Sequence, residues 1–142
     1  PEEVAAMNTE LQRRELDNIF LISPTTSDER VATITQQASG FIYYVALKGV
    51  TGAGNLDTAA VEAHLAIIRA HSDLPVAVGF GIKDAETAAT VAGCADAVVV
   101  GSAMVDCIAA QYASESDPAA ATEAAHSLIS TIRTGVNLAT SK

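Results

Sequence analysis

Val78-Gly79-Phe80-Gly81-Ile82 and, twenty residues further on, Val99-Val100-Gly101-Ser102-Ala103 each end a short apolar run and open a helix-like stretch. Both place bare backbone N–H groups at a strand-to-helix junction, where the first helical N–H groups have no intrahelical acceptor. Glycine lets a ligand approach the backbone, and the Ser102 hydroxyl adds a donor. That combination suits an anion, above all a phosphate.

The same alternation runs outward along the chain. Val4, Met7 and Leu11 keep helical spacing, and Ile19-Phe20-Leu21-Ile22 is a short strand run ended by Ser23-Pro24. Thr26 with Glu29 reads as a capping box for a helix through Val31, Ile34 and Ala38, which Gly40 stops. Residues 41–47 are the longest strand candidate and lead into a glycine-bearing loop over residues 48–55. Asp57 then caps a helix with the stripe Val61, Leu65 and Ile68, and Leu56 is spaced to staple against Val61. Pro75-Val76-Ala77-Val78 is the third strand, Asp84 caps an alanine-rich helix, and Ala97-Val98-Val99-Val100 is the fourth strand. Val105, Ile108 and Tyr112 share one face of the next helix. Asp117-Pro118 opens the last, with Leu128, Ile129 and Ile132 apolar.

Four strand–helix units with nearly all-apolar strands predict a parallel sheet covered by helices. An open doubly wound sheet and a (β/α)8 barrel share that signature, but a barrel needs about 250 residues and eight units. The glycines decide between them. An open sheet usually carries its phosphate on the turn after the first strand. Here Gly52, Gly81 and Gly101 follow the last three strands, as in the barrel phosphate site formed by the final loops and a short extra helix. The helix from Ser102 would be that extra helix, and half a barrel is favoured.

At these residues the chain resembles the tryptophan synthase alpha chain family. The resemblance is carried by Tyr43-Tyr44-Val45-Ala46-Leu47-Lys48-Gly49-Val50-Thr51-Gly52, by Val78-Gly79-Phe80-Gly81-Ile82, by residues 97–105 and by residues 19–24, in the family's order and spacing. It implies an α/β fold, the C-terminal half of a (β/α)8 TIM barrel with four parallel strands and helices. Residues 1–142 would be a single partial domain holding units five to eight. The implied reaction is an aldolase-like cleavage of indole-3-glycerol phosphate into indole and glyceraldehyde 3-phosphate, beside a beta chain that carries pyridoxal phosphate; this chain itself would need no cofactor. Residue by residue, the resemblance gives Gly52, Gly81, Gly101 and Ser102 to the phosphate. Tyr43, Phe80 and Val99 go to the indole pocket, and Thr51 to a mobile loop. The family's two catalytic carboxylates belong to the second strand and the loop after it, outside the units resembled here. Ala46 stands where a serine is more usual.

The residues themselves agree on the missing chemistry. Breaking a bond between an indole carbon and a glycerol carbon needs a poised acid and base. Asp57 and Asp84 read as helix caps, Asp96 precedes a strand on the face opposite the glycine loops, and His64 borders an apolar helix face. Two other readings stay open: a different phosphate-binding barrel enzyme, such as indole-glycerol-phosphate synthase or phosphoribosylanthranilate isomerase, and a non-catalytic phosphate-binding half-barrel.

Composition narrows the partners. Net charge is −9 with only 8 Lys plus Arg, which argues against nucleic-acid and anionic-membrane surfaces. Cys94 and Cys107 form no CxxC pattern and no metal motif, so reduced packing residues in a cytoplasmic protein are expected. No apolar run approaches the length of a membrane span, and no basic-then-apolar leader opens the chain. Pro1, followed at once by acidic residues, suggests a chain that begins part-way through a protein.

Overall fold

Helix and strand alternate as the apolar spacing requires. The elements are α1 (Ala5–Arg13), β1 (Phe20–Ile22), α2 (Asp28–Gln37), β2 (Ile42–Val45), α3 (Thr58–Arg69), β3 (Val76–Gly79), α4 (Ala85–Ala92), β4 (Ala97–Val99), α5 (Ser102–Glu115) and α6 (Pro118–Thr140). They come from a computed structural model that describes residues 3–46, 57–79, 81–115 and 117–140. The strands form one sheet in chain order, β1-β2-β3-β4. The chain divides into two units, Pro1–Val78 and Gly79–Lys142.

In the first unit, β1 and β2 run parallel with Phe20 opposite Ile42, Leu21 opposite Tyr43 and Ile22 opposite Tyr44. Residues paired in this way point to the same side of the sheet. Ile22, Ile42 and Tyr44 are fully buried with Val31 and Ile34 of α2 and Val61, Leu65 and Ile68 of α3. The α3 stripe read from the sequence is therefore its core face, and Asp57 caps that helix by accepting the Ala60 N–H at 3.0 Å. Leu56, the expected staple partner, lies outside the described residues.

Two local expectations need correction. Thr26 and Glu29 do not form a capping box: α2 starts one residue later, with Ser27 at the N-cap and no side-chain cap bond. The Thr26 hydroxyl instead accepts the Ser23 N–H at 3.1 Å, closing a turn after β1. Asp28 and Glu29 then sit in the first turn of α2, where their charge favours the helix dipole. The same helix ends at Gln37, before Gly40. Gly40 has φ +71°, and a side chain there would press on Asp17 and Ile19, each with an atom at 2.9 Å. Its task is the turn into β2.

In the second unit, α6 packs on α4 and α5, and α4 on β4. Gly135 of α6 lies against the backbone of Ala85, where an added Cβ would come within 2.8 Å of the Ala85 Cα and carbonyl carbon. Small side chains let these two helices approach. Asp84 caps α4 by accepting the Thr87 N–H at 2.8 Å. That bond, reinforced by the Thr87 side chain, holds the carboxyl below its ordinary range. A carboxylate so depressed adds stability above its unfolded pKa, and the contribution disappears as pH falls through the folded value. Asp84→Ala is accordingly expected to cost about 1 kcal/mol near neutrality. The gap to the unaltered protein should close on acidification, as read by thermal unfolding against pH. A constant gap down to low pH would contradict the capping role.

Candidate phosphate and apolar site

The start of α5 differs from the starts of α3, α4 and α6. Those three follow Asp57, Asp84 and Asp117, whose carboxylates take up N–H groups of the first turn. Before α5 stands Gly101, whose carbonyl accepts the N–H groups of Met104 at 3.0 Å and Val105 at 3.2 Å. Gly101 thus occupies the N-cap position, and no acidic side chain sits in the first turn. The first amides of such a helix end, here those of Ser102 and Ala103, have no acceptor within the helix itself. Gly101 and Ser102 are exposed. An added Cβ on Gly101 would meet nothing within 4 Å, so open space lies in front of this backbone.

Gly81 follows the carboxyl end of β3, exposed and with φ +51°, while the next residue, Ile82, is 1% exposed. The left-handed backbone at Gly81 turns the chain so that Ile82 anchors in the core and the glycine stays outside. Other residues are strained there. Val99 ends β4 and is half-buried. Gly81, Gly101, Ser102 and Val99 all belong to the second unit, at the carboxyl ends of their strands. Gly52, Thr51 and Phe80 lie outside the described residues.

The first unit supplies a different surface. Alternation along β2 buries Ile42 and Tyr44 and leaves Tyr43 and Val45 half-exposed. Tyr44 stacks on His64 of α3 with ring centroids 5.7 Å apart, and burial raises its phenol pKa. His64 is itself occupied, its Nδ1 lying 2.8 Å from the Ala60 carbonyl oxygen. The ring is thereby tied to its own helix and to Tyr44. Tyr43 faces the other side of the sheet, beside Leu21, which is 59% exposed. Nothing in the strand run over residues 19–22 singles out Leu21, because a parallel strand is apolar on both faces and period-two alternation is lost.

Asp57 and Asp84 are committed to caps, as expected, which leaves neither as a free acid or base. Among the described residues no three His, Cys, Asp or Glu side chains gather as metal ligands. A polar cleft of about 260 Å³ lies elsewhere in the first unit, between α1 and the carboxyl end of α2. Its wall includes Asn8, which donates to the Gln37 carbonyl at 2.9 Å and accepts from Asn18 at 2.7 Å. Asn18 and Ser39 in that wall precede β1 and β2, so the cleft lies toward the amino ends of these strands. None of the candidate residues lines it.

The family model described as tryptophan synthase alpha chain matches residues 1–133. The chain belongs to the tryptophan synthase alpha chain family. It is 53% identical over 120 residues to the tryptophan synthase alpha chain of Albidiferax ferrireducens, covering 84% of this chain and 44% of that one. To the alpha chain of Thioalkalivibrio sulfidiphilus it is 50% identical over 133 residues, covering 94% and 49%. Among solved structures, tryptophan synthase subunit alpha from Legionella pneumophila superposes with a TM-score of 0.81 at 38% identity, over 97% of this chain and 49% of that one. Tryptophan synthase from M. tuberculosis superposes with a TM-score of 0.77 at 27% identity, over 96% and 47%. The chain therefore spans about half the length of the relatives it matches. Its four parallel strands and their helices are half of the tryptophan synthase alpha barrel.

Proposed function

We propose that this chain carries the phosphate-binding half of a tryptophan synthase alpha barrel, the lyase that cleaves indole-3-glycerol phosphate to indole and glyceraldehyde 3-phosphate. The observation that carries this reading is the amino end of α5, where Gly101 leaves open space at a helix start without an acidic side chain. The phosphate would be held by Gly101, Ser102 and Gly81, with Gly52 from the preceding loop. The indole ring would meet Tyr43, Leu21, Val99 and Phe80, and Thr51 would belong to the loop that closes over the substrate.

Proton transfer to the indole carbon and from the glycerol hydroxyl is assigned to carboxylates of the other half of the barrel, because the aspartates at the described helix starts are caps. The chain then needs no cofactor of its own. Pyridoxal phosphate belongs to the beta chain, a partner in keeping with the aminoacrylate-bound form of the M. tuberculosis tryptophan synthase that this chain resembles. A cytoplasmic setting fits Cys94 and Cys107, which form no disulfide among the described residues. Among the described residues no helix is long and apolar enough to cross a membrane.

Indole release from indole-3-glycerol phosphate tests the assignment. The isolated chain is expected to release none, and activity should appear when the N-terminal half of a relative's barrel is supplied. Turnover by the chain alone, abolished by changing one of its own carboxylates, would overturn the division of labour.

A further inference from the structure

Tyr44 is the largest fully buried side chain among the described residues. The other fully buried side chains of the first unit, Ile22, Ile42, Leu65, Ile68, Val76 and Val78, are aliphatic, and such groups fill volume without fixing the plane of a ring. His64 supplies the flat surface. Its ring lies on the Tyr44 ring with centroids 5.7 Å apart and planes 25° apart, within the range of an offset stack. The imidazole is itself held, because its Nδ1 lies 2.8 Å from the Ala60 carbonyl oxygen, while the Ala60 N–H donates to the Asp57 carboxylate at 3.0 Å. A line of fixed groups thus runs from the N-cap of α3 to β2.

We propose that His64 is a positioning residue for Tyr43. Successive residues of a strand point to opposite faces of the sheet, so the stack that pins Tyr44 against α3 also fixes the backbone from which Tyr43 projects on the other face. Tyr43 stands directly opposite Leu21 of β1. Neighbouring strands lie about 5 Å apart, and any shift or twist of β2 that relaxes Tyr44 therefore alters the pairing of Tyr43 with Leu21. β2 has only four residues, too few for the rest of the strand to absorb such a movement. The inference rests on the reading that sets Tyr43 against the indole ring. On that reading His64 touches no substrate; it acts through Tyr44 and preorganises one wall of the pocket.

Nuclear Overhauser contacts between the Tyr43 ring and the Leu21 methyls read the placement directly, and indole binding reads its consequence. The chain contains no tryptophan, so the fluorescence of added indole is seen without background. The unaltered chain is expected to show the Tyr43–Leu21 contacts and to bind indole. His64→Ala, folded by circular dichroism, should lose or weaken those contacts and bind indole about two- to tenfold more weakly, the range set by the strength of a ring stack. His64→Phe supplies a flat ring again and should recover both, whereas His64→Leu, which fills the space without a ring, should not. His71→Ala, on an exposed histidine beyond α3, should change neither. Contacts and affinity unchanged in His64→Ala, or not recovered in His64→Phe, would overturn the positioning role. Should His64→Ala not fold, His64→Leu decides by the same two readings. Contacts that depend on His64 in a chain that binds no indole would instead remove Tyr43 from the indole pocket, which is a failure of the proposed function and not of the link from His64 to Tyr43.

Discussion

Gly135→Ala is expected to lower the melting temperature, although helix propensity alone predicts the opposite. Alanine in the middle of a helix is worth about 1 kcal/mol more than glycine, and Gly135 lies well inside α6. The neighbour decides the sign. The new methyl would sit within 2.8 Å of the Ala85 Cα and carbonyl carbon, and these are backbone atoms at the first residue of α4 rather than the end of a flexible side chain. The helices must separate, disturbing the buried contacts of Ala88, Val91, Ala121 and Ile132. Overpacking of this kind costs about 1–3 kcal/mol and occasionally more. Against the propensity gain of about 1 kcal/mol the net loss for alanine is up to about 2 kcal/mol. It should be larger for Gly135→Leu, which is expected to unfold the second unit. Ser130→Ala, on an exposed position of the same helix, should change stability by no more than about 0.5 kcal/mol. Calorimetric melting of the three variants checks this, and a raised melting temperature for Gly135→Ala would show that α4 and α6 are not in close contact.

The parts of this molecule legible in the sequence are those fixed by local chemistry. Asp57 and Asp84 announce helix starts because a short carboxylate reaches the N–H three residues on, and both do so here. Val61, Leu65 and Ile68 announce a buried face because their spacing matches the helical turn, and all three are buried. Competition between equally local alternatives was harder to read. Thr26 could close on the helix or on the preceding turn, and Ser23 won. Context beyond the chain was harder still. Val105, Ile108 and Tyr112 share a face of α5 as their spacing indicates, yet they are 64%, 40% and 54% exposed. Periodicity tells which residues lie together on a helix and is silent on what covers them. For the site, glycine at the carboxyl ends of β3 and β4 was visible as a pattern. The choice of Tyr43 over Tyr44 for the indole pocket follows only from the resemblance, since both sit in one apolar run, and the register with Leu21 needs the paired strands.

Gly101→Val should abolish binding of glycerol phosphate while leaving the fold in place. A Cβ at this position meets no protein atom within 4 Å, so the side chain intrudes only on the space assigned to the ligand. Gly101 is not among the glycines with positive φ, so valine is not strained there as it would be at Gly81. The replacement still weakens the N-cap by about 1 kcal/mol, small beside the roughly 5–15 kcal/mol that hold a domain together. Ser102→Ala removes one donor to a charged acceptor and is expected to cost about 1–2 kcal/mol, roughly a 5- to 30-fold weaker affinity. Salt separates backbone donors from side-chain cations as the source of binding. A site built on lysine or arginine weakens as ionic strength rises. Here the chain carries −9, and the phosphate is held by amides against an unfavourable field. Screening should therefore leave affinity unchanged or raise it. Titration calorimetry with glycerol phosphate, on variants shown by circular dichroism to be folded, reads all three effects. Unaltered affinity in folded Gly101→Val would remove the amino end of α5 from the phosphate site.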